Sequence, residues 1–321
     1  MSSQSRSVTP MVEGGILSAV AIIFAFISAY LPVIGAFINF IWPVPIILLG
    51  VRHGYRYSVM ATVVAGLLIA LLMHPMQAVT VVVGFGLIGI ALGHSFRNNH
   101  SPVKTIFIGS VASLVSKIAV LAITAAVMGY NPLSMETESF QAAISQVLDF
   151  YRSAGYSEED LAKTAQTMTT IVDIVKVIFP AGFVLASFFD TFFNYWLAKK
   201  VLKRLGYSYS AFPPFRQWCL PRWVVVIFLV GLAMLLFGKS NQNDLIYNIG
   251  MNIEVSGSVL LLIQGLALFY YLAEKYNLSR FVRGIILVLI LTNGLFTQIV
   301  IIVGAFDAVV DYRQLRLLRL K

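Results

Sequence analysis

The sequence predicts an all-α polytopic membrane protein of about eight to nine transmembrane segments. Three observations carry that reading. Hydrophobic residues fill 59% of the 321 positions and charged residues only 12%, about half the charged share of a soluble domain. Several runs of roughly 18 or more residues carry no charge, enough to cross a hydrocarbon core of about 30 Å. The runs are continuous and do not alternate at period two, which argues against a closed β-barrel.

Charge and cysteine content narrow the function classes. The formal charge is +9, but most cations sit in short loops between apolar runs, where Lys and Arg orient a bundle. A nucleic-acid partner is therefore rejected; the partner implied first is the lipid bilayer. The one cysteine, Cys219, excludes an internal disulfide and a cysteine-cluster metal site. The first apolar run lacks a small-residue cleavage pattern and reads as a retained helix rather than a removed signal peptide.

Met1 to Pro10 is Ser-rich and expected to be disordered. Segment one covers about Val12 to Leu31, where Ala21, Ala25 and Ala29 recur every four residues. Such a stripe lets another backbone approach, either within the chain or from a partner. Segment two, about Phe37 to Gly50, is short and entered through Pro43 and Pro45. Gly50-Val51-Arg52-His53-Gly54 is a tight basic turn, and segment three follows over Tyr55 to Met73. Segment four, Val79 to Phe96, holds Gly84, Gly86, Gly89 and Gly93. The GxGxxG spacing lacks the strand and acidic residue of a dinucleotide site, so these glycines are expected to be helix-packing contacts.

Segment five runs over Thr105 to Met128. A polar insertion at 131–173 follows, with seven of the fourteen acids. Ser157-Glu158-Glu159-Asp160 within it is a helix-start signature. Segment six runs over Ile174 to Leu197 and ends in Lys199, Lys200, Lys203 and Arg204, the strongest positive-inside signal in the chain. The domains expected are a six-helix membrane body at 1–205, a cytoplasmic linker at 206–221, and C-terminal segments with a basic tail at 222–321. The last part holds segments seven (Arg222 to Phe237), eight (Asn252 to Ala273) and nine (Val282 to Ala305).

With the N-terminus in the cytosol, fourteen of the 23 cations fall inside. Nine crossings would still leave Arg313, Arg316, Arg319 and Lys321 outside. Segment nine is then re-entrant near Asn293-Gly294, or a weaker segment does not cross, or the basic tail is external.

Ionisable groups at membrane depth face a bundle interior, pair up or mark a pathway. Lys117 lies about 20 Å from Lys104 and Asp190 about 14 Å from Lys199 at 1.5 Å per residue. The two are expected to pair, with Asn194 and Ser113 as hydrogen-bond partners, either as a clamp between segments or as a ligand or proton site. Asn39, Trp42, His74, Gln77, Asn131 and Tyr151 form a set of outer-end polar and aromatic residues. They are ligand-binding candidates if those ends converge; otherwise they are ordinary interface residues. Asn293, Thr297 and Gln298 read as a polar packing stripe. The histidines look scattered, and HExxH, GxSxG and Walker A motifs are absent. A non-enzyme without cofactor or metal is therefore expected.

Two resemblances follow from these residues. Glu13-Gly14-Gly15, the LLGVRHG turn and the ending Phe306-Asp307 through Asp311-Tyr312-Arg313 resemble the YybS-like family of uncharacterised bacterial membrane proteins, over nearly the whole chain. The Ala stripe, Pro43-Val44-Pro45, the Gly-Val-Arg-His-Gly turn and the Gly-rich fourth segment resemble the substrate-binding S subunits of energy-coupling factor transporters, over about 1–205. The second resemblance implies a vitamin-like solute bound at the outer end of six helices. It also implies docking through Ala21, Ala25 and Ala29 onto a transmembrane coupling subunit that carries ATPases. It further implies residence in the bacterial cytoplasmic membrane. The insertion and the three extra segments depart from that pattern. The competing reading is a membrane scaffold or assembly partner with no small-molecule ligand.

Overall fold

Prolines and glycines punctuate the apolar runs, and the helices follow that punctuation. The computed structural model describes residues 5–129, 132–207, 209 and 212–315. Those residues form helices without strands: α1 (Ser5–Tyr30), α2 (Pro32–Ile41), α3 (Pro43–His53), α4 (Tyr55–Leu72), α5 (Pro75–Val81), α6 (Leu87–Arg97), α7 (Pro102–Met128), α8 (Pro132–Ser153), α9 (Glu158–Arg204), α10 (Trp223–Ser240), α11 (Asp244–Lys275), α12 (Arg280–Thr292) and α13 (Gly294–Val310). Seven spans are long and apolar enough to cross a membrane, or eight with the bent pair α12–α13 counted as one. The chain is thus an all-α multi-pass membrane protein. It divides into two compact units, Met1–Val172 with Phe183–Ala211, and Asp173–Gly182 with Phe212–Lys321.

In the first unit, Pro32 and Pro43 each open a helix, where a missing N–H leaves no bond unmade. Segment two is therefore two short helices meeting at Trp42. Trp42 is fully buried, and its Nε1–H donates to the Ala21 carbonyl at 2.8 Å. Ala21 and Ala25 are fully buried too, in one core with Ala61 and Ala65 of α4. α3 stops at Gly54, whose φ of +100° places it where side chains rarely go.

The glycines of the fourth segment are contacts, as their context implied. A Cβ on Gly93 would lie 3.0 Å from the Ile47 carbonyl, and one on Gly89 would lie 2.9 Å from Ile46 Cβ. Between α5 and α6 the helix widens into a π turn, Val82–Gly86. At the far end α8 turns into α9 through Gly155 (φ +88°), and the Ser157 hydroxyl accepts from the Asp160 N–H at 3.2 Å. α9 has 47 residues, about 70 Å at 1.5 Å per residue. It is too long for the bilayer alone, so its acidic first half extends beyond it.

In the second unit, α10 and α11 pack backbone to backbone. A Cβ on Gly231 would lie 2.6 Å from the Glu254 nitrogen, and one on Gly238 would lie 2.4 Å from that of Tyr247. α11 begins at Asp244, earlier than the sequence boundary at Asn252, because Asn243 Oδ1 accepts the Ile246 N–H at 3.1 Å. Asn252 itself bonds the backbone of α9 beside Pro180. Its Nδ2 donates to the Val177 carbonyl at 2.7 Å and its Oδ1 accepts the Ala181 N–H at 2.9 Å. One carboxamide thus bonds both an N–H and a C=O that are helical partners, next to a proline that lacks its own N–H. Those bonds tie Asp173–Gly182 to α11 within the second unit.

α12 and α13 meet at 102° across Asn293, whose Oδ1 accepts the Leu295 N–H at 3.0 Å. Arg283, in the first turn of α12, donates to the Ala273 carbonyl at 3.0 Å. Tyr312, just past α13, packs its ring 5.7 Å from Lys275 Nζ. Both outer ends of the pair therefore lie at the C-terminal end of α11. The pair enters and returns, which is the re-entrant alternative for segment nine. Arg313 then sits at the same end as Lys275, Arg280 and Arg283, and the conflict over the tail is removed as far as residue 315; residues 316–321 lie outside the described residues.

Candidate functional site

In the first unit, a cavity of about 520 Å³ lies between the π turn, α7 and the inner half of α9. Its walls are mainly apolar, with Phe40, Phe85, Val120, Leu121 and Phe183. Asn39, Thr80, Thr124, Lys117 and Asp190 add polar atoms. The π turn contributes Gly84 and Phe85, and such bulges recur at functional sites because they redirect side chains.

The charged wall is built from three helical turns. Lys117 Nζ donates to Asp190 Oδ2 and, at 2.8 Å, to Ser113 Oγ one turn earlier on α7. Asn194 Nδ2 donates to the Asp190 backbone carbonyl at 2.9 Å. Asp190 is buried, while the Lys117 side chain keeps 23% exposure toward the cavity. A carboxylate–ammonium pair with its hydrogen bonds met is tolerable at this depth. An exposed edge on the pair leaves a polar contact for a guest.

The outer-end candidates separate. Asn39 lines the cavity and accepts from Ser28 Oγ at 2.6 Å. Trp42 does not reach it, because its indole is consumed by the Ala21 carbonyl in the core. His74 caps α5, its Nδ1 accepting the Met76 N–H at 3.2 Å, and neither it nor Gln77 lines the cavity. Tyr151 packs its ring against Tyr156, tilted at 5.0 Å in the α8–α9 turn, and does not line the cavity. Asn131 lies outside the described residues. The docking stripe also needs correction: Ala21 and Ala25 are covered by the chain itself, and Ala29 alone is exposed.

Two clusters lay unpaired in the sequence. Glu13 bonds Arg52 at 2.9 Å and His53 at 2.8 Å, so the Glu-Gly-Gly motif and the basic turn form one structure. Arg97 donates to the Val51 carbonyl at 3.4 Å, and Glu13, Arg52 and Leu205 line one pocket. The start of α1, the turn after α3, the end of α6 and the end of α9 therefore share one basic end. The histidines are less scattered than the sequence implied. The rings of His94 and His100 lie 6.3 Å apart, since the turn after α6 folds His100 back. Burial first, then Lys104 and His94, holds the His100 pKa below the usual imidazole range. No group of three His, Cys, Asp or Glu among the described residues is placed to hold a metal.

In the second unit, Arg313 donates to Asp307 Oδ2 at 2.8 Å and to the Arg216 and Trp218 carbonyls at 2.6 and 2.7 Å. Gln264 Nε2 donates to the same carboxylate oxygen, and its Oε1 accepts the Leu220 N–H at 2.8 Å. The sequence signal for this clasp lay in the ending Phe306-Asp307 through Asp311-Tyr312-Arg313, an acid at the end of an apolar helix six residues before an arginine.

A multi-pass helical membrane protein with a charge pair on the wall of an intramembrane cavity is the class that fold and site define. Within that class, the chain belongs to the family described as Predicted membrane protein (DUF2232), which it matches over residues 19–308. The Bacillus subtilis protein described as Uncharacterized protein YybS is similar to it, 26% identical over 297 residues, 92% of this chain and 95% of that protein. No solved structure matches the chain.

Proposed function

We propose that this chain is a non-catalytic binding subunit for a small, vitamin-like solute in the bacterial cytoplasmic membrane. Coupling and ATPase subunits would be separate proteins, as the likeness of its first six segments to S subunits implies. The observation that carries the reading is the cavity of about 520 Å³ with Lys117 and Asp190 on its wall. That volume suits a drug-sized molecule, and apolar walls with few polar groups are the usual composition of a ligand site. Applying the positive-inside rule to the basic end puts Glu13, Arg52, Arg97 and Lys199 in the cytosol. The N-terminus is then cytosolic and the α8–α9 turn lies outside. Docking onto a coupling subunit would use a surface other than Ala21 and Ala25, which are already packed.

The test is purification from native membranes in lipid nanodiscs, with mass spectrometry of retained small molecules and proteins. A retained solute together with ATPase subunits is the expected result. Recovery of other membrane proteins with no solute would replace this reading with the scaffold reading.

A further inference from the structure

Eight buried side-chain polar atoms among the described residues lack a hydrogen-bond partner, and six belong to the first unit: Ser95 Oγ, His100 Nδ1, Ser110 Oγ, Ser116 Oγ, Thr191 Oγ1 and Asn194 Oδ1. Every one of the six lies between the Lys117–Asp190 pair and the basic end. Ser116 and Ser110 precede Lys117 along α7, which starts at that end. Thr191 and Asn194 follow Asp190 along α9, which finishes there. Ser95 and His100 belong to the last turn of α6 and the loop after it, joined by the His100 N–H donating to the Ser95 carbonyl at 3.1 Å.

The helices carrying these atoms touch. A Cβ on Gly109 would lie 2.5 Å from Thr191 Cγ2 and 2.9 Å from Leu92 Cδ2, and the Phe96 ring stacks on Tyr195 at 5.3 Å. The atoms thus line one junction of α6, α7 and α9. A dry helical hydroxyl has an easy remedy, bonding the carbonyl four residues back. Thr62 does this to Ser58 and Ser187 to Phe183 in the same unit. Ser110, Ser116 and Thr191 do not, and buried polar atoms left that way are the usual places for ordered water.

We propose that these atoms hold a column of internal water through which Asp190 takes up and returns a proton at the basic end. The step balances simply. A hydronium ion at the basic end gives one proton to the water chain. The chain gives one to a carboxylate oxygen of Asp190, and the Asp190–Lys117 ion pair is lost. Lys117 keeps its ammonium charge and is free to pair with another anion. A metal cation is the poorer occupant, because the Lys117 ammonium already stands beside the carboxylate. Resting on the binding reading, this also names the solute class: a small monoanion, such as a carboxylate with an apolar body, bound with one proton.

Two measurements on the full chain in lipid, without added solute, test it. In X-ray hydroxyl-radical footprinting, bound water oxidises its nearest neighbours. Corrected for each residue type's intrinsic reactivity toward hydroxyl radical, Leu92, Phe96 and Tyr195 should be modified roughly tenfold faster than Ile46, Ile47 and Ile69, which are as deeply buried. Equal rates would overturn the water column. In infrared difference spectra of proteoliposomes, a carboxylic acid band should respond to pH at the basic end. It should vanish in Asp190→Asn and shift to higher pH in Lys117→Met. A response only from the opposite side, or an unchanged spectrum in Asp190→Asn, would overturn the proton route. A dry junction in a protein that retains solute would sink this inference alone. A wet junction in a protein that retains none would sink the solute reading alone.

Discussion

Each unit joins its helices with a buried ion pair, and the two pairs are built to opposite ends. Arg313 and Asp307 have side chains 0% and 1% exposed, closed in by two backbone carbonyls and Gln264. Lys117 and Asp190 keep 23% and 11% and border a cavity. The chemistry is the same; what differs is access: the first pair is sealed inside protein, with Asp307 Oδ1 and Arg313 Nε left buried and unpartnered, and the second opens onto a cavity. A sealed pair is a clasp, here fastening the residues after α13 to the chain before α10. A pair with an open side is a place where something else can bind.

That contrast predicts unequal losses. Asp307→Ala strands a guanidinium with no route to water, and thermal unfolding in detergent should show the largest loss, about 3–5 kcal/mol. Asp307→Ala with Arg313→Met should recover much of it; equal losses in single and double variants would remove the clasp. Asp190→Ala should lose less, on the order of 1–3 kcal/mol, since Lys117 can turn into the cavity. Adding Lys117→Met should restore part, and no recovery would mean the two are not partners.

Packing gives a third comparison, of similar or smaller size. Gly238→Ala drives a methyl into the α11 backbone at Tyr247 and should cost about 1–3 kcal/mol. Gly182→Ala meets nothing within 4 Å and should be neutral or stabilise by about 0.5–1 kcal/mol as a helix-interior change. Smallest is Glu13→Gln. Its pairs with Arg52 and His53 are partly exposed, so the loss should stay below about 1 kcal/mol and shrink in salt. A larger, salt-independent loss would show the basic end to be a structural core.

Much of the fold was legible because bilayer thickness and charge asymmetry are strong constraints on sequence. The break at Asn293-Gly294, the basic turn at Gly54 and the cap at Ser157 could be read from local residues. The proximity of Lys117 and Asp190 could be read from depth alone. What escaped needed rotation about helix axes, which weakly patterned apolar sequence does not encode. Trp42 looked like an outer-end residue and the Ala21–Ala25 stripe could face the chain or a partner; the Trp42 indole bonds the Ala21 carbonyl, and both are core. The seven-residue spacing of Gly231 with Gly238 and Gly250 with Gly257 was a readable packing signal that the outline of spans did not use. Asn252 was a single polar residue in a long helix, with nothing local to name its partner. Asp307 and Arg313 stood six residues apart in one ending motif, but nothing local named Gln264, which joins them.

The central claim is that the Lys117–Asp190 wall holds a solute, and one measurement meets it directly. The full chain and its Lys117→Met variant are purified side by side from native membranes in nanodiscs, and their small-molecule contents are compared by mass spectrometry. A molecule of fixed mass present with the native chain and missing from the variant is the predicted outcome. Identical contents from two equally folded preparations would contradict it.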